Sequence, residues 1–189
     1  MESHYSSFMK PLSMASLHQL KRWFWILLLA NAIYMVAIHF LLQPLTSSEI
    51  VHFETARKVS VAETIIQEWK DSGKLNKAVI SVYVDFLFIL LYTSGLAVGS
   101  VFLARLTQHE ILGRAGKLFA WLLVIAGLAD IVENIALLRS LQNYVQHVNV
   151  VLAYDMAATK FSIIILTVLF MIICLIFWGL LFVEPRKGK

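Results

Sequence analysis

Four long apolar runs dominate the sequence, and each is long enough to cross a lipid bilayer as an α-helix. They cover about residues 23–42, 79–103, 118–138 and 157–183. A span of about 20 residues covers ~30 Å of hydrocarbon at ~1.5 Å per residue. Because lipid offers the backbone no hydrogen bonds, such runs have to be helical. We therefore expect an all-α integral membrane protein, with four transmembrane helices in an antiparallel bundle and residues 1–189 in a single membrane domain.

The composition agrees with a membrane protein and argues against nucleic-acid binding. Hydrophobic residues make up 59% of the 189 residues, whereas soluble domains usually contain about 45–50%. The net charge is +4, but the basic residues lie at the ends of the apolar runs and form no stripe. The expected partner is the lipid bilayer and no nucleic acid is expected. Cys174 is the single cysteine, which excludes a disulfide within the chain.

The distribution of basic residues predicts the orientation in the membrane. Nine of the 16 Lys and Arg residues flank the spans on the side of both termini, and seven lie on the other side. On that other side, the long first loop contains as many acidic as basic residues, so its net charge is close to zero. The positive-inside rule therefore predicts both termini in the cytoplasm. Four tryptophans near the inner ends of the spans fit an aromatic belt: Trp23, Trp25, Trp121 and Trp178.

The connection between the first two spans is predicted to be an amphipathic helical loop over residues 46–73. Thr46 with Glu49, and Ser60 with Glu63, have the spacing of a capping box. After Ser60, apolar residues recur at three- and four-residue steps: Val61, Ala62, Ile65, Ile66 and Trp69. This helix could be a lid over a pocket that opens on the outer side, or it could lie in the membrane interface. The interfacial helix is the preferred interpretation.

Three carboxylates within the apolar runs are the strongest functional signal. They are Asp85 in the second span and Asp130 and Glu133 in the third. Each ionisable group inside a span costs about 2.5–3.5 kcal/mol on insertion scales. Asp85 and Glu133 are each about six residues, or ~9 Å, from the predicted outer end of their span. In antiparallel neighbours they should lie at one level, with Asp130 one turn deeper.

Further polar residues could reach the same level from every span. Tyr92 and Asn134 lie on the polar stripes of the second and third spans, His39 is near the outer end of the first, and Lys160 is near that of the fourth. The predicted site for a ligand or cation consists of Asp85, Asp130, Glu133, Asn134, Tyr92, His39 and Lys160.

A metal ion is one conceivable occupant of this predicted site. His39 with Asp85 and Glu133 would give the His-plus-carboxylate set that several metals accept. The ligands would lie on different helices, so their spacing cannot be read from the sequence. From the sequence, the metal ligands, the cofactor and the catalytic residues are therefore unknown.

Three functions are compatible with this pattern. The first is an intramembrane acidic pocket that binds a proton, a cation or an amine-bearing lipophilic small molecule. The second is a membrane-embedded enzyme that uses paired carboxylates for acid/base chemistry on a lipid. The third is a structural or accessory subunit in which the acids pair with Lys160, Arg139 or His39. The sequence contains no nucleophile-elbow, zinc-protease or phosphate-loop motif, and a homo-oligomer is possible because four helices are few for a transporter.

The layout of four spans, intramembrane acids and a long first loop resembles the four-helix membrane family that contains sterol isomerases and the sigma-2 receptor. No motif of that family matches this chain residue by residue, so the resemblance implies no activity and no residue role here.

Overall fold

The computed structural model describes residues 14–142 and 145–183 of the chain. The described residues form six helices and no strand, numbered here in chain order: α1 Leu17–Leu42, α2 Ser47–Glu54, α3 Val59–Asp71, α4 Leu75–Leu106, α5 Glu110–Leu141 and α6 His147–Val183. The helices α1, α4, α5 and α6 are long and apolar enough to cross a membrane. They contain the four predicted spans and extend beyond them, because helical hydrogen bonding continues into the polar flanks.

The predicted loop helix consists of two short helices, α2 and α3. The capping box at the start of α2 is confirmed: Glu49 N–H donates to Thr46 Oγ1, and Thr46 N–H donates to Glu49 Oε2 at 2.8 Å. The second predicted capping box is wrong. The helix α3 begins at Val59 after Lys58, which provides no side-chain cap, so Ser60 lies inside the first turn.

The apolar stripe of α3 is buried against the rest of the protein. Ile65, Ile66 and Trp69 belong to a core cluster that also contains residues of α4, α5 and α6. The Trp69 ring meets the Phe53 ring of α2 edge-on, with 5.1 Å between centroids. Because protein already covers this stripe, the stripe does not face a membrane interface as the preferred interpretation requires. The helices α2 and α3 pack against one end of the long helices instead.

The helix α4 is central, because it packs against α1, α5 and α6. Its contacts with α5 run in opposite chain order. Ser100 Oγ donates to the Gly116 carbonyl at 3.2 Å, and earlier in α4 Tyr92 Oη donates to Asp130. The same reversal holds against α1, where Asn31 Nδ2 donates to the Leu91 carbonyl at 3.0 Å and, later in α1, Tyr34 Oη donates to the carbonyl of the earlier residue Val84 at 2.6 Å.

The crossing of α4 and α5 at Gly116 is closely packed. A Cβ atom on Gly116 would lie 2.7 Å from Ala104 Cβ and 2.8 Å from the Ser100 carbonyl oxygen. A backbone oxygen at this distance cannot move aside as a flexible side chain would, so the helices have to separate to admit a methyl group. Gly113 lies one turn earlier on α5, and a Cβ atom there would have nothing within 4 Å.

We expect Gly116→Ala to lower the free energy of unfolding by about 1–3 kcal/mol, the usual cost of overpacking. Gly113→Ala is the matched control, and it should be neutral or stabilising by up to ~1 kcal/mol because alanine favours helix more than glycine does. Unfolding of the purified protein by SDS in mixed micelles measures both. Equal effects of the two substitutions would contradict the close packing at Gly116.

Candidate ligand-binding site

The centre of the site is the ammonium group of Lys160 on α6. Lys160 is 5% exposed, and Asp130 and Glu133 on α5 are 2% and 0% exposed. Its Nζ lies 2.7 Å from Asp130 Oδ1 and 2.9 Å from Glu133 Oε2. A third carboxylate, that of Glu54 at the end of α2, lies 3.7 Å from the same nitrogen. One buried cation thus contacts acids from two other helices.

Helical spacing explains how these groups meet. Asp130 and Glu133 are three residues apart and therefore share one face of α5. The long apolar stem of Lys160 lets its charged end reach that face from α6. Glu54 follows Phe53, whose ring is buried in the core cluster. The anchoring of Phe53 holds the end of α2 above Lys160.

Hydrogen bonds add Tyr92, Asn134 and Asp85 to the site. Tyr92 Oη donates to Asp130 Oδ2 at 2.8 Å, so both oxygens of Asp130 have partners. Asn134 Nδ2 donates to Asp85 Oδ2 at 2.8 Å. Asn134 adjoins Glu133 in the chain, so the Asp85 carboxylate lies beside the Lys160 cluster.

The site contains more carboxyl groups than it has cations to balance them. Glu54, Asp130 and Glu133 lie between 2.7 and 3.7 Å from a single ammonium group, that of Lys160. Asp85 adds a fourth carboxyl group through its hydrogen bond to Asn134. Glu133 Oε1 is buried and has no hydrogen-bond partner among the described residues. A buried polar atom of this kind needs a proton, a water molecule or a cation to offset its lost hydration. The geometry therefore favours the arrival of a further positive charge.

A cavity of about 170 Å³ lies directly beside the acids. Its polar wall contains Glu54, Asp85 and Asn134, and most of its other lining residues are apolar or aromatic. The rings of Tyr34 and Phe88 line it and stack on each other with 5.5 Å between centroids. Carboxylates beside aromatic faces are a favourable environment for an organic cation.

Glu54 is the acid of this site that the sequence analysis missed. In the sequence, Glu54 is one of the acidic residues that match the basic residues of the long first loop. The spacing of the sequence contains a signal for Glu54, because Glu54 follows Ile50 by four residues and therefore lies on the same face of a helix. Ile50 packs against the core, so this face is turned towards the protein interior. Burial raises the pKa of Glu54 to about 7, although the nearby Lys160 ammonium acts in the opposite direction. Its carboxyl group can therefore exchange a proton near neutral pH.

Two predicted partners are not brought to the cluster. His39 lies on the exposed side of α1, where its ring meets the Phe40 ring edge-on. Arg139 is exposed and forms no ion pair with the part of the chain that the structure describes. Within residues 14–142 and 145–183, no group of three His, Cys, Asp or Glu side chains could hold a metal ion. The possible metal site of His39, Asp85 and Glu133 is thus not formed.

Comparison of the chain with protein-family models, with curated proteins and with solved structures finds no match.

We expect Lys160→Met to lower the free energy of unfolding by about 3–5 kcal/mol, because it leaves buried carboxylates without their cation. Combining it with Asp130→Asn and Glu133→Gln should recover most of that loss. Among the described residues, Glu54 is then the one carboxyl group left beside the former ammonium, and its raised pKa of about 7 lets it take up a proton. Lys117→Met, at an exposed lysine of α5, is the matched control and should change stability by less than ~0.5 kcal/mol. SDS unfolding curves test this, and a Lys160→Met variant as stable as the control would contradict it.

Proposed function

We propose that this chain is a multi-pass membrane protein whose four long helices form an antiparallel bundle with both termini in the cytoplasm. We further propose that its acidic site binds an amine-bearing lipophilic ligand. The observation that carries the proposal is the small apolar cavity that ends at Asp85 and Glu54, beside a cluster with too few cations.

The distribution of exposed and buried residues supports insertion into a membrane. Large apolar side chains on all four long helices face outward and are between 59% and 63% exposed: Leu29, Leu90, Leu128 and Ile176. At the same time, charged residues such as Glu133 and Lys160 are buried inside. An exposed apolar surface around a polar interior is stable where the surrounding solvent is hydrocarbon. The reversed order of contacts between neighbouring helices supports the antiparallel arrangement.

The size of the cavity indicates which part of a ligand it would hold. Its volume of about 170 Å³ is below the ~300–1,000 Å³ of sites that enclose a drug-sized molecule. It fits a head group, and the apolar side chains of Met35 and Ile38 on α1 would contact the beginning of a hydrophobic tail. The tail would then continue past α1 into the bilayer.

The charge of the site favours an ammonium head group. Lys160 shows that an ammonium group is accommodated among these carboxylates, with N–O distances of 2.7 and 2.9 Å. Asp85 and Glu54 line the cavity, and a cation there would add the positive charge that the cluster lacks. A proton on Glu54 supplies the same charge when no ligand is bound, so proton and ligand would compete.

The other two functions remain predictions. The pairing of Lys160 with Asp130 and Glu133 is what a structural role requires, but that pairing leaves Asp85 and the cavity unexplained. Acid/base chemistry on a lipid would use the same carboxyl groups, and no described contact favours it over binding.

A photoreactive probe tests the proposal. The probe is a dodecylammonium ion with a diazirine near its head group, and the reference is the dodecanol analogue with the same diazirine. Both are mixed with the full chain in nanodiscs, irradiated, and mapped by mass spectrometry. We expect the ammonium probe, and much less the alcohol, to label the segment that contains Tyr34, Met35 and Ile38.

Asp85→Asn with Glu54→Gln should reduce this labelling at least about tenfold, because hydrogen bonds to charged groups contribute ~1.5–3 kcal/mol. Glu63→Gln is the matched control, since Glu63 is an exposed acid of the same loop. Equal labelling by the two probes, or equal labelling of the double variant and the control, would overturn the proposal.

The dependence of binding on pH provides a separate test. A cation needs the ionised form of Glu54, and the pKa of Glu54 is raised to about 7 by burial. Binding of dodecyltrimethylammonium, whose charge does not change with pH, should therefore strengthen as the pH rises from about 6 to about 8. Glu54→Gln should weaken binding and remove this rise, as measured by competition with the photoprobe. A rise that persists in Glu54→Gln would show that another group controls binding.

A further inference from the structure

A second and larger cleft lies between the beginning of α1 and the ends of α4 and α6. Its volume is about 720 Å³, and its walls are mainly apolar or aromatic, with Phe24, Leu28, Leu103 and Met171 among them. It shares no lining residue with the cavity beside Asp85. A volume of this size falls within the ~300–1,000 Å³ that encloses a substantial part of a lipophilic molecule.

One end of this cleft is basic. His18 and Lys21 line it, and their spacing of three residues places them on one face of α1. Lys21 is exposed and has no ion-pair partner among the described residues. Carboxylates are missing from the lining of the cleft as the structure describes it. A ligand in the cleft would therefore meet a positive charge at one end and apolar walls along the rest.

The dimensions of the cleft match one leaflet of a bilayer. Its lining on α1 begins at Leu17 and ends at Leu28, a rise of about 16 Å at ~1.5 Å per residue. Half of a ~30 Å hydrocarbon core is about 15 Å. Trp25 and Trp178 also line the cleft, and tryptophan is enriched where hydrocarbon meets the head groups.

We propose that this cleft binds one phospholipid with an anionic head group. Lys21, assisted by His18, contacts the head group, and an acyl chain lies along Phe24 and Leu28 between α1 and α6. The proposal rests on the membrane insertion proposed above, but it concerns a different site and the opposite ligand charge. If the termini are cytoplasmic, as predicted, the cleft lies in the cytoplasmic leaflet, which carries the anionic lipids. Basic pockets between helices on that side bind anionic head groups.

Competition between two lipids tests the site. The full chain in detergent is mixed with equal amounts of palmitoyl-oleoyl phosphatidylglycerol and the phosphatidylcholine with the same chains, and adducts are counted by native mass spectrometry. We expect more phosphatidylglycerol adducts on the natural sequence. Lys21→Gln should lower them about fivefold, the usual effect of one basic residue near an anionic head group. Phosphatidylcholine adducts should not fall, because the two lipids compete for the same cleft.

Three further variants make the result decisive. Arg22→Gln removes the neighbouring charge, which does not line the cleft, and should keep the preference. Lys21→Arg keeps the positive charge and should also keep the preference for phosphatidylglycerol. Leu28→Trp fills the apolar part and should lower the adducts of both lipids.

Two outcomes would overturn the lipid site. One is equal binding of the two lipids by the natural sequence, and the other is an equal loss in Lys21→Gln and Arg22→Gln. Labelling of Lys21→Gln by the ammonium photoprobe at Tyr34 shows whether this variant keeps the first site. Failure of the lipid site is thereby distinguished from failure of the amine-binding site.

Discussion

The buried contact of Lys160 with Asp130 and Glu133 is the interaction on which the rest of the site depends. It joins α6 to α5, and the nearby Glu54 connects both helices to α2. Removing one partner of such a contact leaves a charge without compensation in a medium that cannot hydrate it. The positions of three helices are therefore coupled through one ammonium group. The contact also limits where a ligand can bind, because both oxygens of Asp130 already have partners.

The negative charge that Lys160 does not balance explains why the proposed ligand site lies on the Asp85 side of the cluster. Asn134 holds one oxygen of Asp85, and Asp85 borders the cavity together with Glu54. The short helices α2 and α3 cover this end of the long helices, so the proposed ligand would enter beside α1, where Met35 and Ile38 line the cavity. The basic cleft at Lys21 has the opposite polarity. The two proposed sites thus differ in both position and the sign of charge they accept.

Part of the site could be derived from helix geometry. The rise per residue placed Asp85 at the level of Glu133, and the structure joins Asp85 to Asn134, the next residue. The reach of Lys160 towards the acids followed from its long stem and its position near the end of a span. Glu54 could not be placed in this way, because its contact with Lys160 depends on how α2 folds back over the long helices. His39 was expected at the site from its depth alone, but the rotation of α1 turns it to the exposed side.

The sequence by itself determined that four helices are long and apolar enough to cross a membrane, since length and hydrophobicity are local properties of each run. It also determined which polar residues lie at similar depths, because the helical rise is constant. The tertiary structure decided which of them meet. That outcome depends on the rotation of each helix about its axis and on close contacts such as Gly116 with Ser100. These are set by packing between segments far apart in the chain, which the pattern along a single helix does not specify.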